Sequence, residues 1–195
     1  MRLLRVSFTG ELGFEVNVPA KHGQAVWQAI YEAGKQYGIV PYGTEAMHVL
    51  RAEKGYMVVG QETDGTVAPA DVGLGWMIGK TKADFVGRRS LKRAALMAPD
   101  RKQLVGLMTK NSRKMLEEGA QLVADPSQRI PMTLLGHVTS SYMSAILERP
   151  VALGMVRGGR AHLGKRLYVP MEDETIEVDV VSPVFYDPPG ARLNG

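Results

Sequence analysis

A chain of 195 residues has room for one large domain or two small ones. Its 45% hydrophobic and 23% charged residues are those of a globular chain with a substantial core, and its formal charge of +4 is too modest to imply nucleic acid. The absence of cysteine excludes disulfides, thiolate metal sites and cysteine nucleophiles and suits a reducing cytoplasm. No apolar run approaches a membrane span, and the N-terminus has no signal-peptide pattern, so no membrane association is expected.

Met1 to Arg5 leads straight into a strand with nothing before it to pair with, the pattern of a piece of a longer fold. Val6 to Val16 predicts two short strands around a glycine-containing turn, with Phe8, Phe14, Val16 and Val18 alternating with polar residues. Glu15 interrupts this apolar series. A strand carboxylate is usually solvated. Turned into a pocket, it would accept two parallel hydrogen bonds from a planar N–C–N group.

The spacing of Val26, Trp27, Ile30, Ala33 and Tyr37 predicts a helix over 21–38, with Trp27 and Tyr31 packed into the core and Gly38 as the C-cap. After the Pro41-Tyr42-Gly43 turn, Thr44 opens a second helix running to Lys54 and ended by Gly55. Arg51 on this helix is expected to pair with a carboxylate and brace neighbouring elements. Tyr56 stands at the helix exit, where a side chain reaches a cleft rather than the core. Pro69 to Gly75 has glycines without the strand–turn–helix frame of a dinucleotide site. A short strand is expected at 76–78 and a third helix from Phe85 to about Met97. Lys80 to Arg93 is the most basic stretch, read as a solvated face or an anion-attracting rim.

Ala98-Pro99-Asp100 looks like a domain boundary, dividing the chain into 1–99 and 100–195. Beyond it, short strands at 103–109, 121–124, 135–140, 151–156, 166–169 and 175–181 suit a small antiparallel barrel or sandwich. The Gly158–Arg166 stretch reads as a basic hairpin connection, with phosphate cradling as the alternative. Phe185 to Gly190 is expected to wrap back over a neighbour. The fold class is therefore α+β.

No ordinary catalytic constellation is present. The four histidines have no zinc-ligand spacing, and neither a Walker loop nor a nucleophile elbow occurs. Ser140 and Ser141, beside His137, are poorly placed for a triad. Neither catalytic nor metal-binding residues are assigned.

The ordered set Ser7–Glu15, Leu50–Gly55, Gly73–Trp76 and Phe85–Arg88 resembles the folate-binding fold of the glycine-cleavage aminomethyltransferase family. Gly136–Ser140 and Pro183–Pro188 resemble that family's C-terminal barrel. Ala46 to Tyr56 looks most like the branch formed by the C-terminal end of heterotetrameric sarcosine oxidase alpha subunits, with dimethylglycine dehydrogenase a near relative. The resemblance implies a partial aminomethyltransferase-like domain followed by a small antiparallel β-barrel. It implies tetrahydrofolate as cofactor, with Glu15 on the pterin's amino-pyrimidine edge and Phe8 and Tyr56 lining the pocket. Trp76 and Arg88 are further candidates for that site. FAD, FMN and NAD are expected elsewhere in the parent complex, and the implied partners are its other subunits and the preceding part of the alpha subunit. In that scheme the region positions folate to take up the one-carbon unit from oxidative demethylation of sarcosine. The isolated chain is expected to bind folate weakly and turn over nothing. Where transferases of the family carry an Arg-Asp pair, this chain has Met47-His48, and the aspartate they use in catalysis lies outside it. A docking module with a decayed pocket, or an aminomethyltransferase-like protein, are the alternative readings.

Overall fold

The computed structural model describes all of residues 1–195. Most of the buried core lies in the C-terminal half. There β3 (Lys102–Thr109), β4 (Gln121–Leu122), β5 (Gly136–Ser144), β6 (Arg149–Arg157), β7 (Arg166–Pro170) and β8 (Thr175–Val181) form one antiparallel sheet in the order β4-β5-β6-β3-β8-β7. Val123, just past β4, exchanges two backbone hydrogen bonds with Tyr168 of β7, at 2.9 and 3.0 Å. This pairing closes the sheet into a six-stranded barrel and leaves no long free edge between its first and last strands.

Alternation along the strands decides what enters the barrel. Val105, Leu107, Val156, Leu167, Val169, Val178 and Val180 point inward with Leu122 and Val138. Gly136 and Gly154 keep two crowded points open: a Cβ at Gly136 would collide with the Met155 carbonyl across the ladder, and one at Gly154 would press on Leu107. Leu104, Leu153, Met155 and Tyr142 point outward.

That outer face needs a cover, and residues 44–74 supply it. Helix α2 (Thr44–Glu53) lays Ala52 and Val49 against it, joined by Met57, Val67, Val72 and Leu74 and by Phe185 from the C-terminal tail. The tail wraps back as expected: the Phe185 and Tyr186 amides both donate to the Glu53 carbonyl at 2.9 Å. The 158–166 stretch is a connection between β6 and β7 built on a 3₁₀ turn at Gly159–His162.

The N-terminal part differs from the sequence expectation in four places. β1 (Arg2–Leu4) and β2 (Glu15–Asn17) pair antiparallel, but residues 5–14 form an irregular loop instead of extended strands. Gly10, buried in that loop at φ +79°, lies so close to Lys54 that a Cβ would strike its side chain. Helix α1 (Gly23–Gly34) lies inside the predicted span, and Gly38 is left-handed as expected of its cap. It buries no residue, however. Trp27, expected in the core, is 57% exposed and stacks on Tyr31 at 5.2 Å. Nothing in the chain covers this face, nor Leu3, Phe14 and Val16 on the ribbon.

The third helix shrinks to a 3₁₀ turn at Ser90–Lys92 and one α-turn, α3 (Ala94–Met97). Gly87 at φ +95° breaks the backbone where that helix would begin. Residues 75–77 form a 3₁₀ turn rather than a strand, because no neighbouring strand offers a ladder. A short helix, α4 (Ala191–Asn194), ends the chain.

Candidate functional site

The junction of α2 with the barrel is organised by one buried ion pair. Arg51 and Glu62 have fully buried side chains and meet at 3.0 Å. The Arg51 guanidinium also donates to the Tyr56 carbonyl at 3.1 Å, to Gln61 Oε1 at 2.8 Å and to Ser140 Oγ at 2.6 Å. Glu62 accepts from Ser140 Oγ at 2.6 Å and from the Val58 amide at 2.8 Å. Both charges are thus paired and hydrogen-bonded, the condition on which burial of charge is tolerated. The bracing role expected of Arg51 is present, and Ser140 is a structural hydroxyl rather than a nucleophile.

Two further pairs fix the surroundings. Lys54 Nζ reaches Asp187 Oδ2 at 2.8 Å and the Asp187 carbonyl at 2.9 Å. The carboxylate of Asp187 also accepts from the Ala191 and Arg192 amides at 3.0 Å. The Lys54 ammonium, followed by these amides, holds its carboxyl below the usual carboxylate range. Arg192 in turn accepts from the Leu12 amide through its carbonyl at 2.8 Å, so α2, the tail and the 5–14 loop are tied together. On the far side, Asp71 grips the Arg101 guanidinium, whose other N–H groups reach the Thr66 and Ala95 carbonyls.

Of the expected site residues, Phe8 and Tyr56 lie beside this junction. Phe8 packs on His48 of α2 with ring centroids 6.1 Å apart, and His48 meets Tyr142 of β5 edge-on at 6.5 Å. Tyr56 is half-buried, its amide donating to the Arg51 carbonyl at 2.9 Å. His48 and Tyr142 line a cavity of about 600 Å³ between α2 and β5, with Glu45, Gln61, Glu118 and Ser141 among its other walls; Phe8 and Tyr56, expected to line the pocket, stand outside its walls, Phe8 reaching it only through His48. Ser141 is 7% exposed, and its hydroxyl has no partner in the chain.

The other three do not join them. Glu15 is exposed on β2, opposite Leu4, and lines none of the principal cavities; within this chain it is not turned into a pocket. The physical reason is that no element packs on either face of the two-stranded ribbon that carries it. Trp76 is 74% exposed in its 3₁₀ turn, and Arg88 is half-buried outside the cavity. A second, apolar cavity of about 490 Å³ is lined by Met77, next to Trp76 in the chain, together with Met57, Val72, Leu74 and Phe85, but not by Trp76 itself.

The wall residues Glu45, His48 and Tyr142 escaped sequence reasoning. Glu45, His48 and Val49 follow a three-and-four spacing along one face of α2, the one signal that pointed to a shared lining. Tyr142 has no local signal, since a β-bulge between Val138 and Ser140 resets which face the following residues present.

The arrangement suits a flat, partly polar ring: aromatic edges on one side, an amide and carboxylates on the other. No group of histidines, cysteines and carboxylates is arranged to hold a metal ion, and no helix is long and apolar enough to cross a membrane.

Comparison with known proteins gives this geometry a family. The GCVT N-terminal domain profile matches residues 1–82, and the glycine cleavage T-protein C-terminal barrel domain matches residues 102–187. The sarcosine oxidase subunit alpha of Corynebacterium sp. (strain P-1) is 46% identical over 198 residues, covering 100% of this chain and 20% of that protein. The corresponding subunit of Rhizobium meliloti (strain 1021) is 41% identical, covering 98% of this chain and 20% of its own. An aminomethyltransferase of Halothermothrix orenii is 34% identical over 93% of this chain and 48% of its own length. The crystal structure of the glycine cleavage system aminomethyltransferase T from Bartonella henselae superposes with a TM-score of 0.79 at 25% identity, covering 94% of this chain and 49% of that one. The chain therefore spans about a fifth of the sarcosine oxidase subunits and about half of the aminomethyltransferases it matches. With both domains present in order and similarity along its whole length, the chain belongs to the glycine-cleavage T-protein family and is similar to part of the sarcosine oxidase alpha subunit.

Proposed function

We propose that this chain is the folate-positioning part of a sarcosine oxidase alpha subunit. It would hold tetrahydrofolate where the one-carbon unit from oxidative demethylation of sarcosine can be taken up. The observation that carries this reading is the 46% identity to a sarcosine oxidase alpha subunit along the entire chain, on a fold shared with aminomethyltransferases. The site adds chemical support. Phe8, His48 and Tyr142 offer ring surfaces, Tyr56 lies at the exit of α2, and the Arg51–Glu62 pair fixes the wall. When bound, tetrahydrofolate supplies the nitrogen nucleophiles that accept the carbon unit. This chain's own residues bind and orient it, which is a contribution through proximity.

In the same reading Glu15 is the pterin's acid partner, and it acts only when the uncovered face of β1, β2 and α1 is packed against another part of the alpha subunit or another subunit. Trp27, Phe14 and Leu3 on that face are the contact residues. Trp76 and Arg88 are assigned the outer rim of the folate site. The flavin and nicotinamide chemistry of the parent complex belongs to other regions, and the setting is cytoplasmic.

Calorimetric titration of the 195-residue chain with tetrahydrofolate tests the proposal. Weak saturable binding is expected, reduced at least fivefold in Phe8→Ala and in Tyr56→Ala, with no oxidation of sarcosine by the chain alone. Absence of saturable binding, or binding indifferent to both substitutions, refutes it.

A further inference from the structure

A third cavity, of about 350 Å³, opens at the end of the barrel where β3 begins and β6 ends. The sheet register builds its floor. Met155 of β6 stands between Leu104 of β3 and His137 of β5, so all three point out of the barrel on one face. Lys102, two residues before Leu104, points the same way. The loop 60–66 forms the opposite wall and contributes Asp64.

Three kinds of polar group therefore meet across one small cleft: an ammonium, a carboxylate and an imidazole. All three line the cleft together with Met155. Neither Lys102 nor Asp64 is spent elsewhere as an ion pair. Asp64 is held in place through one oxygen only. Its Oδ1 accepts from the Thr66 amide at 2.7 Å and the Thr66 hydroxyl at 2.6 Å, which leaves Oδ2 free. These bonds keep the carboxyl ionised by lowering its pKa. The loop is anchored in turn, because Arg101, locked to Asp71, donates to the Thr66 carbonyl. Arg101 also lines the cleft, but its charge is already matched. The wall is thus preorganised, and the two charges without an ion-pair partner are Lys102 and Asp64, both exposed at the mouth of the cleft and near enough for the ammonium to act on the carboxylate.

That pattern selects against a simple anion, which Asp64 would repel, and against a simple cation, which Lys102 would repel. It matches a ligand carrying both charges. The volume lies at the small end of the range for ligand sites. We propose that this cleft binds a small α-amino acid as its zwitterion, with its ammonium on Asp64 and its carboxylate on Lys102. The His137 ring contributes a further hydrogen bond to the carboxylate. This cleft is a different cavity from the one assigned to folate, although the two share Gln61 in their walls; Asp64, Lys102 and His137 line only this one, so the two readings are tested independently.

Proton NMR of the full 195-residue chain tests the proposal, with the His137 ring signal assigned through His137→Gln. Glycine is the probe, with acetate and methylammonium as the single-charge controls. Glycine should shift the His137 signal saturably, with each control needing at least tenfold higher concentration for the same shift. Asp64→Asn, which keeps the turn to Thr66, and Lys102→Met, which keeps the aliphatic stem, should each weaken glycine at least tenfold. Both should leave the remaining ring signals in place. The proposal is overturned if glycine gives no saturable shift, if acetate or methylammonium binds as well as glycine, or if the two variants bind glycine as the parent chain does.

Discussion

Substituting Glu62 by Gln tests the physical core of the site. The exchange preserves volume and leaves the Val58 amide an acceptor, but it removes the charge facing Arg51 across 3.0 Å. The guanidinium would stay buried, still bonded to the Tyr56 carbonyl, Gln61 and Ser140, with no anion beside it. Breaking a buried pair on one side costs about 3–5 kcal/mol, against a total stability of roughly 5–15 kcal/mol for a domain. With a urea slope of about 2 kcal/mol/M, the unfolding midpoint should fall by about 1.5–2.5 M. Arg51→Met combined with Glu62→Leu should recover part of the loss, because two apolar side chains leave no orphaned charge, while the Val58 amide, Tyr56 carbonyl and Ser140 hydroxyl lose their partners. Ser140→Ala alone should cost about 1–3 kcal/mol, through the acceptor and donor it leaves unmatched. Urea denaturation of the single and double variants gives the cycle directly. A Glu62→Gln loss under about 1 kcal/mol, or a double variant no more stable than the singles, would refute the claim that this pair braces α2 on the barrel.

Gly136→Ala places a methyl against the Met155 carbonyl and should cost about 1–3 kcal/mol or more by forcing β5 away from β6; an unchanged urea midpoint would contradict the register. Trp27→Gln should change the chain's stability by no more than about 0.5 kcal/mol, as measured by urea denaturation; a large destabilisation would show that the ring is packed after all. Stability should also fall with acid in two steps. The Asp187 carboxyl titrates lower in the folded chain than its unfolded value of about 3.9, so its contribution is complete above that pH and lost as pH falls through the lower folded value; Asp187→Asn should abolish this step. Burial, then Lys102, pushes the His137 pKa down, so the folded ring resists protonation. Its contribution is complete above about pH 6.5 and declines below it, and His137→Gln should remove that slope from denaturation curves taken between pH 5 and 7.

The barrel was legible because its strands carry their own instructions. Alternating Val, Leu and Ile between turn residues predicted six strands close to those observed, since the period of two is set by the pleat itself. The bracing role of Arg51 was legible for a similar reason: an arginine on the apolar side of a helix must find an acid. Its partner, eleven residues on, was not, because the α2 exit folds Glu62 back under the helix. The Phe85–Met97 helix failed on one backbone angle at Gly87, which composition does not reveal.

The candidate site shows the same division more sharply. Residue types and order alone established the family's two-part α+β architecture, a barrel with its inward-facing set, and aromatic groups near the exit of α2. Those features depend on local periodicity and on residues adjacent in the chain. Only the tertiary structure decided that Glu15 lies exposed, that Trp27 stacks on Tyr31 with more than half of its surface uncovered, and that His48 and Tyr142, 94 residues apart, form one wall. Burial and cavity walls are properties of surfaces brought together from distant segments, and no local pattern encodes which surface will be covered.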